Sequence, residues 1–225
     1  MERMCPGSNK ASRPCSAPGT LAHRIAPTQA AATMDFSGLS LADVHINPKG
    51  AKTCLLTDHG ARFYYTTEST RAPFGPSNFD KDPAAPRQNL ELRCTTTMAN
   101  FFQSLDEWVI DYISAHSERI WKKPLTLQQV KDMYHPTMRR TEGYEPLLRT
   151  KLNMPGSRGA VRFWTPDGQT RDPPEDWRDA DVKAHVHISH LWLMGGSCGP
   201  VINCIDLLVQ EGSRAFPFQM PESFA

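Results

Sequence analysis

The sequence predicts a mainly β (α+β) fold: a twisted, partly closed antiparallel barrel or sandwich carrying one helical insertion. Three observations lead there. At least six short stretches alternate apolar with polar or charged residues at the period of a half-buried strand. One strongly amphipathic stretch interrupts them at helical spacing, and turn sequences rich in Gly and Pro separate the rest. Short strands punctuated this often close into barrels or stack into sandwiches, whereas doubly wound sheets need a helix after nearly every strand.

The elements follow in order. Cys54 to Leu56 and Arg62 to Thr66 flank Thr57-Asp58-His59-Gly60, a turn sequence, and predict a hairpin. Asn89 to Cys94 alternates in the same way. Met98, Phe101, Phe102, Leu105, Trp108, Val109, Tyr112 and Ile113 then recur every three or four residues, the stripe of a helix facing a core. A shorter helix is expected to begin at Thr126, where Thr-x-x-Gln to Gln129 forms a capping box, and to stop before His135-Pro136. Leu147 to Leu152, Ala160 to Trp164, Val182 to Leu193 and Val201 to Val209 have strand composition. The last two enclose Met194-Gly-Gly-Ser-Cys-Gly-Pro200, read as a loop or bulged hairpin. The expected organisation is a disordered tail over 1–33, one domain over 34–212 with a helical insertion at about 97–135, and a C-terminal tail over 213–225.

The 225 residues suffice for a sizeable core, and a formal charge of +1 excludes a strongly basic, histone-like binder. No apolar run reaches the roughly 20 residues of a membrane span. Residues 1–33 hold no aromatic residue and four basic residues against one acid, so burial cannot offset their ordering. The same composition fits an organellar targeting segment, or an over-long start with Met34 as initiator. Charge is uneven beyond it: ten Lys or Arg face four acids between Ala115 and Trp164, and six acids face two arginines between Thr165 and Val182. The six cysteines, with no CxxC pair, read as free thiols in a reducing cell interior, a Cys198–Cys204 link being the alternative.

Catalytic patterns are weak. His185-Val186-His187 sets two imidazoles on one strand face, but zinc needs a third ligand such as His190, Cys198 or Cys204 at no recognisable spacing. The simpler reading makes Lys183, His185, His187 and Ser189 a polar strand face. Gly195-Gly196-Ser197-Cys198-Gly199 lacks the strand–turn–helix setting of a nucleophile, and Gly156-Ser157-Arg158-Gly159 lacks the Lys-Ser/Thr of a phosphate loop. Binding patterns are stronger. Arg149 and Lys151 alternate with apolar neighbours, as do Arg162 with Trp164 and Arg62 with Tyr64, so each strand shows cations or aromatic rings on one face. Cations beside rings are what a groove for single-stranded nucleic acid requires.

The order of several motifs adds to this. Ala72-Pro-Phe-Gly-Pro-Ser-Asn-Phe79, Leu105-Asp-Glu-Trp-Val-Ile-Asp111, Ser117-Glu-Arg-Ile-Trp-Lys-Lys123, Tyr134-His-Pro136, Tyr144-Glu-Pro146 before Leu148-Arg-Thr-Lys-Leu152, and Leu191-Trp-Leu-Met-Gly-Gly-Ser-Cys-Gly199 together resemble the single-stranded DNA-binding proteins of nucleocytoplasmic large DNA viruses, the algal-virus type. These are similar in layout to phage single-stranded DNA-binding proteins. The resemblance covers about residues 45 to 210 and implies an OB-fold core, with Leu105 to Asp111 on an inserted helix, Leu148 to Leu152 on a barrel strand and Trp192 on the penultimate strand. Where the family tends to place Phe before the final Gly, this chain has Ser197-Cys198, and it shows no acidic C-terminal tail.

The expected function is therefore non-enzymatic: single-stranded DNA binding in replication, recombination or repair, inside the cell, at the nucleus or a viral replication site. The expected contacts are Arg149, Lys151, Arg162, Trp164, Arg62, Tyr64, Lys183 and Trp192, with no cofactor, metal or membrane. Replication proteins and a second copy of the chain are further candidate partners. The alternatives are an RNA-binding module, a virion or scaffold interaction protein, and a metal-dependent enzyme using His185 and His187.

Overall fold

The computed structural model describes residues 34–82, 84–177 and 180–210. The expectations for the tails at 1–33 and 213–225 lie outside the described residues. Thirteen strands and three helices occur among them. In chain order they are β1 (Leu39–Leu41), β2 (His45–Ile46), β3 (Lys52–Asp58), β4 (Ala61–Arg62), β5 (Tyr64–Thr66), β6 (Thr70–Ala72), β7 (Arg87–Arg93), α1 (Thr96–Ala115), α2 (Ser117–Trp121), α3 (Leu127–Met133), β8 (Met138–Arg139), β9 (Leu147–Asn153), β10 (Arg162–Trp164), β11 (Thr170–Arg171), β12 (Ala180–Met194) and β13 (Ser197–Gln210).

The alternation of apolar and polar residues is longest in β12 and β13, and these two strands form the spine of the sheet. They pair antiparallel through Gly195-Gly196, both at positive φ (59° and 84°), so the segment after Met194 is a two-residue turn and Ser197 to Pro200 already belong to the strand. β3, β5 and β6 pair successively along the free edge of β12. On the other side of the spine, β9 and β10 run parallel to β13. β7 and β8 then pair antiparallel with β9, and β11 with β10. The sheet stops short of closure: β6 and β7 lie side by side without a ladder, joined by the Thr70 hydroxyl donating to the Arg93 carbonyl. This is a mainly β fold whose sheet does not close into a barrel, with a helical layer.

The first hairpin turns as its sequence predicts. His59 and Gly60 take positive φ (47° and 78°), and Thr57 faces Arg62 across the turn. β5 leaves that hairpin and pairs with β12 instead.

The helices cover the sheet's inner face. Thr95 caps α1 by accepting from the Met98 amide at 3.2 Å, and Met98, Phe101, Phe102, Leu105, Val109 and Ile113 are buried, each worth about 1.5–3 kcal/mol of transfer free energy. Trp108 and Tyr112, on the same stripe, are half-buried against the core. In α3 the Thr126 hydroxyl accepts from the Gln129 amide at 3.2 Å, and the Gln129 side chain accepts from the Thr126 amide at 2.9 Å. Arg119 ties this layer to the sheet, donating to Asp43 at 2.9 Å and to the Leu41 carbonyl at 2.9 Å. Buried Asp106 does the same for the return to β8, accepting from the Tyr134 hydroxyl at 2.6 Å and from the Thr137 amide and hydroxyl at 3.1 and 2.9 Å. Desolvation raises its pKa to about 6 against the pull of these donors. The four cysteines of the described residues are free and buried.

Candidate nucleic-acid interface

Residues directly opposite each other in a ladder point to the same side, so register fixes which side chains share a surface. On β12 the outward positions are Lys183, His185 and His187. Two bulges then change the parity. Ile205 is the extra residue in β13 and Ser189 the extra one in β12, so His190 and Trp192 face outward although they follow an odd step from His187. The alternation in sequence places Ser189 on the polar face; the structure buries it and puts His190 there. Its hydroxyl donates to the Val201 carbonyl at 3.2 Å and accepts from the Asn203 side chain at 2.9 Å, which satisfies the bulge.

The partners of these residues extend the surface. His185 opposes Asp206 and Thr66, and His187 opposes Asn203 and Tyr64. Asn203 opposes Lys151, and Arg149 lies two residues before it, opposite Glu91. Arg162 opposes Asp206 through the parallel pairing of β10. Arg62, opposite Thr57, projects to the same side. The register thus brings all eight sequence-predicted positions, from five strands, onto the outer face.

They are not equivalent there. Tyr64 stacks on His185 (ring centroids 5.0 Å, planes at 15°) and leans on His187 (5.1 Å). Lys151 is half-buried, its amine donating to Asn89, and desolvation with the charges of Arg87 and Arg149 lowers its pKa. Arg149 is exposed, with Glu91 at 3.7 Å as a loose partner. Arg62 and Lys183 are exposed and form no ion pair among the described residues. Trp192 lies toward the hairpin end, half-buried against His135 (5.3 Å). Its indole approaches Gly199, where a Cβ would sit 2.8 Å from the His135 carbonyl oxygen and 3.1 Å from the indole nitrogen.

Arg162 and Trp164 meet at Asp206. The guanidinium approaches that carboxylate at 2.7 and 2.8 Å, the indole N–H donates to it at 2.8 Å, and the guanidinium lies 5.7 Å from the indole centroid. Burial would raise the Asp206 pKa, but these bonds and the nearby cationic groups hold it below the usual carboxylate range. Arg162 thus pairs with Asp206 while remaining exposed, and the same carboxylate fixes Trp164. The ring lines a concavity of about 270 Å³ with Thr66, Lys183 and His185.

Three contributors escape the sequence reading. Arg87 donates to Asn203 at 3.2 Å and links Lys151 to the histidines. His190 faces outward beside them, and burial and the charges of Arg87 and His187 lower its pKa, as burial and Arg62 lower that of His187. Asp206 is the third. The outward alternation of Arg87, Asn89 and Glu91 was the available signal for the first; the second needs the bulge and the third a pairing between strands far apart in sequence.

The alternative chemistries fare differently. Cys198 lies on the inner face opposite Leu193, buried, its thiol pushed up to about 12, away from His185 and His187. Among the described residues no group of three or more His, Cys, Asp or Glu is arranged to hold a metal ion. No helix among them is long and apolar enough to cross a membrane.

No family profile matches the chain, and no curated protein matches it either. Among solved structures it is similar to gp2.5, a single-stranded DNA-binding protein encoded by bacteriophage T7, at 13% identity over 72% of this chain and 92% of that one, with a TM-score of 0.46. It is also similar to the single-stranded DNA-binding protein from bacteriophage Enc34, at 9% identity over 83% of this chain and 99% of that one (TM-score 0.43). The complex of that protein with single-stranded DNA aligns over 79% and 98%, at 9% identity (TM-score 0.44). Similarity of this degree carries neither ligand nor mechanism from one chain to another.

Proposed function

We propose that the outer sheet face binds single-stranded DNA without catalysis. One observation carries this reading: the convergence of Arg62, Tyr64, Arg149, Lys151, Trp164 and Lys183, from strands scattered along the chain, onto one surface with Arg87 and three histidines. Cations on such a face neutralise phosphates, while Tyr64 and Trp164 offer ring faces to bases that a duplex would keep stacked inside. Tyr64 and Trp164 are held by His185 and Asp206, so little side-chain entropy is lost when a base stacks on them. Trp192 would extend the surface at its hairpin end.

The process served, replication, recombination or repair in a large DNA virus, rests on the motif resemblance alone, as do a nuclear or replication-site location and contacts with replication proteins. The test is fluorescence anisotropy of the full chain with a labelled single strand, its duplex and an RNA of the same sequence. Salt-sensitive binding that favours the DNA single strand is expected. Equal affinity for the duplex would remove the role of the aromatic rings, and preference for RNA would change the ligand.

A further inference from the structure

A second aromatic feature lies beyond these contacts. The β6–β7 and β8–β9 connections flank a cleft of about 720 Å³, lined by Pro73, Phe74, Tyr144, Leu147, Arg93 and Arg139. Cavities of this size take small planar ligands. Phe74 and Tyr144 are 57% and 79% exposed, and among the described residues no aromatic ring stacks on either.

Their exposure is built in. Gly75 presses on Trp177, where a Cβ would come within 3.3 Å of the Trp177 Cβ, so the chain beside Phe74 is anchored and the ring is turned out. On the other side, the Tyr144 amide donates to the Thr141 carbonyl at 3.1 Å across Gly143 (φ 77°), and the Cys94 amide donates to the Pro146 carbonyl at 2.8 Å. Two anchored loops, about 70 residues apart in sequence, thus present two apolar rings to solvent. Rings carried on an anchored backbone lose less freedom when a planar group stacks on them than rings on a free loop would.

The cleft also continues the outer face. Glu91 accepts from Arg139 at 2.7 Å and lies 3.7 Å from Arg149, so one carboxylate joins the cleft's rim to the basic strand. Arg93 holds Glu145 at 3.5 Å, with both side chains exposed. The two acids offset the arginines, which leaves the rings as the cleft's main means of attraction.

We infer that this cleft is a base-stacking subsite, in which Phe74 and Tyr144 take one or two unpaired bases of the strand that leaves Lys151 and Arg149. The inference rests on the reading of the outer face as a single-stranded DNA interface. The experiment compares oligothymidylate of roughly 30 nucleotides, enough for at least one OB-fold site, with an abasic strand of the same length and backbone. Phe74→Ala/Tyr144→Ala should weaken binding to the thymidine strand by about fivefold or more, the low end for one stacked base, and leave the abasic strand unaffected. Phe74→Trp/Tyr144→Phe, which keeps both rings, should bind the thymidine strand as the parent does. Circular dichroism and a thermal midpoint certify the fold of each variant.

If the alanine pair binds both strands like the parent while Arg149→Ala/Lys151→Ala weakens both, the cleft is no subsite and the interface reading stands. If the parent binds neither strand, both readings fall.

Discussion

Replacing Arg149 and Lys151 together by Ala should change the salt dependence of single-strand binding more than it changes the fold. Arg149 is exposed with only a loose carboxylate partner, and Lys151 has one amide contact, to Asn89. Among the described residues the outer face offers five cations not tightly clamped by an acid: Arg62, Arg87, Arg149, Lys151 and Lys183. If each neutralises one phosphate, the slope of log K against log salt is about −0.7 per contact, or about −3.5 in all. The double variant retains three, for a slope of about −2.1. Between about 50 and 200 mM salt the parent's affinity should then fall roughly 130-fold and the variant's roughly 20-fold. Anisotropy titrations across that range measure both slopes. Arg162→Ala is the internal comparison, because its charge is already held by Asp206 and its loss should leave the slope nearly unchanged. An unaltered slope in the double variant would refute the assignment of these side chains to phosphate contacts.

Binding should tighten as the pH falls from about 8 to about 5.5, because protonation of His187 and His190, disfavoured by burial and by Arg62 and Arg87, is favoured by an incoming phosphate. His187→Gln/His190→Gln should flatten that profile in the same anisotropy assay. Asp106 links pH to stability with a definite sign. Its folded pKa of about 6 exceeds the ordinary 3.8, so its contribution is fully present below about pH 4 and is lost as the pH rises through about 6. Relative to Asp106→Asn, the parent's urea midpoint should fall between about pH 4 and 6.5; parallel pH profiles would exclude this carboxyl as the source. Gly199→Ala should cost about 1–3 kcal/mol, read by urea unfolding, since the added methyl meets the His135 carbonyl and the Trp192 indole.

Local rules were readable where a few adjacent residues decide the structure. Thr126 and Gln129 specify their own cap, His59-Gly60 its turn, and the Met98 to Ile113 stripe its buried side. The outward direction of Arg149, Lys151, Arg162 and Tyr64 followed from simple alternation in short strands. What failed to show was whatever depends on distant pairing. Arg162 and Trp164 read as binding groups in sequence; that Asp206 holds both requires the parallel alignment of β10 with β13. Ser189 and His190 exchange sides because of a bulge whose stabilising partners, Val201 and Asn203, lie on the opposite strand. The cleft beside Phe74 and Tyr144 likewise exists only once two remote loops are brought together.

The two bulges of the long hairpin carry a consequence for how this chain can diversify. The extra Ile205 in one strand and the extra Ser189 in the other cancel, so the pairing beyond both returns to the register it had before them. Ile188 and His190 already pair with the adjacent Ile202 and Val201, and His185 and Val186 with Asp206 and Cys204, so losing Ser189 or Ile205 would remove a bulge and its local twist while His190 and Trp192 kept facing outward. Losses at these two positions are therefore tolerable one at a time. Homologous chains should be free to lose either extra residue alone, whereas a one-residue loss at a regularly paired position would turn the side chains beyond it to the other face.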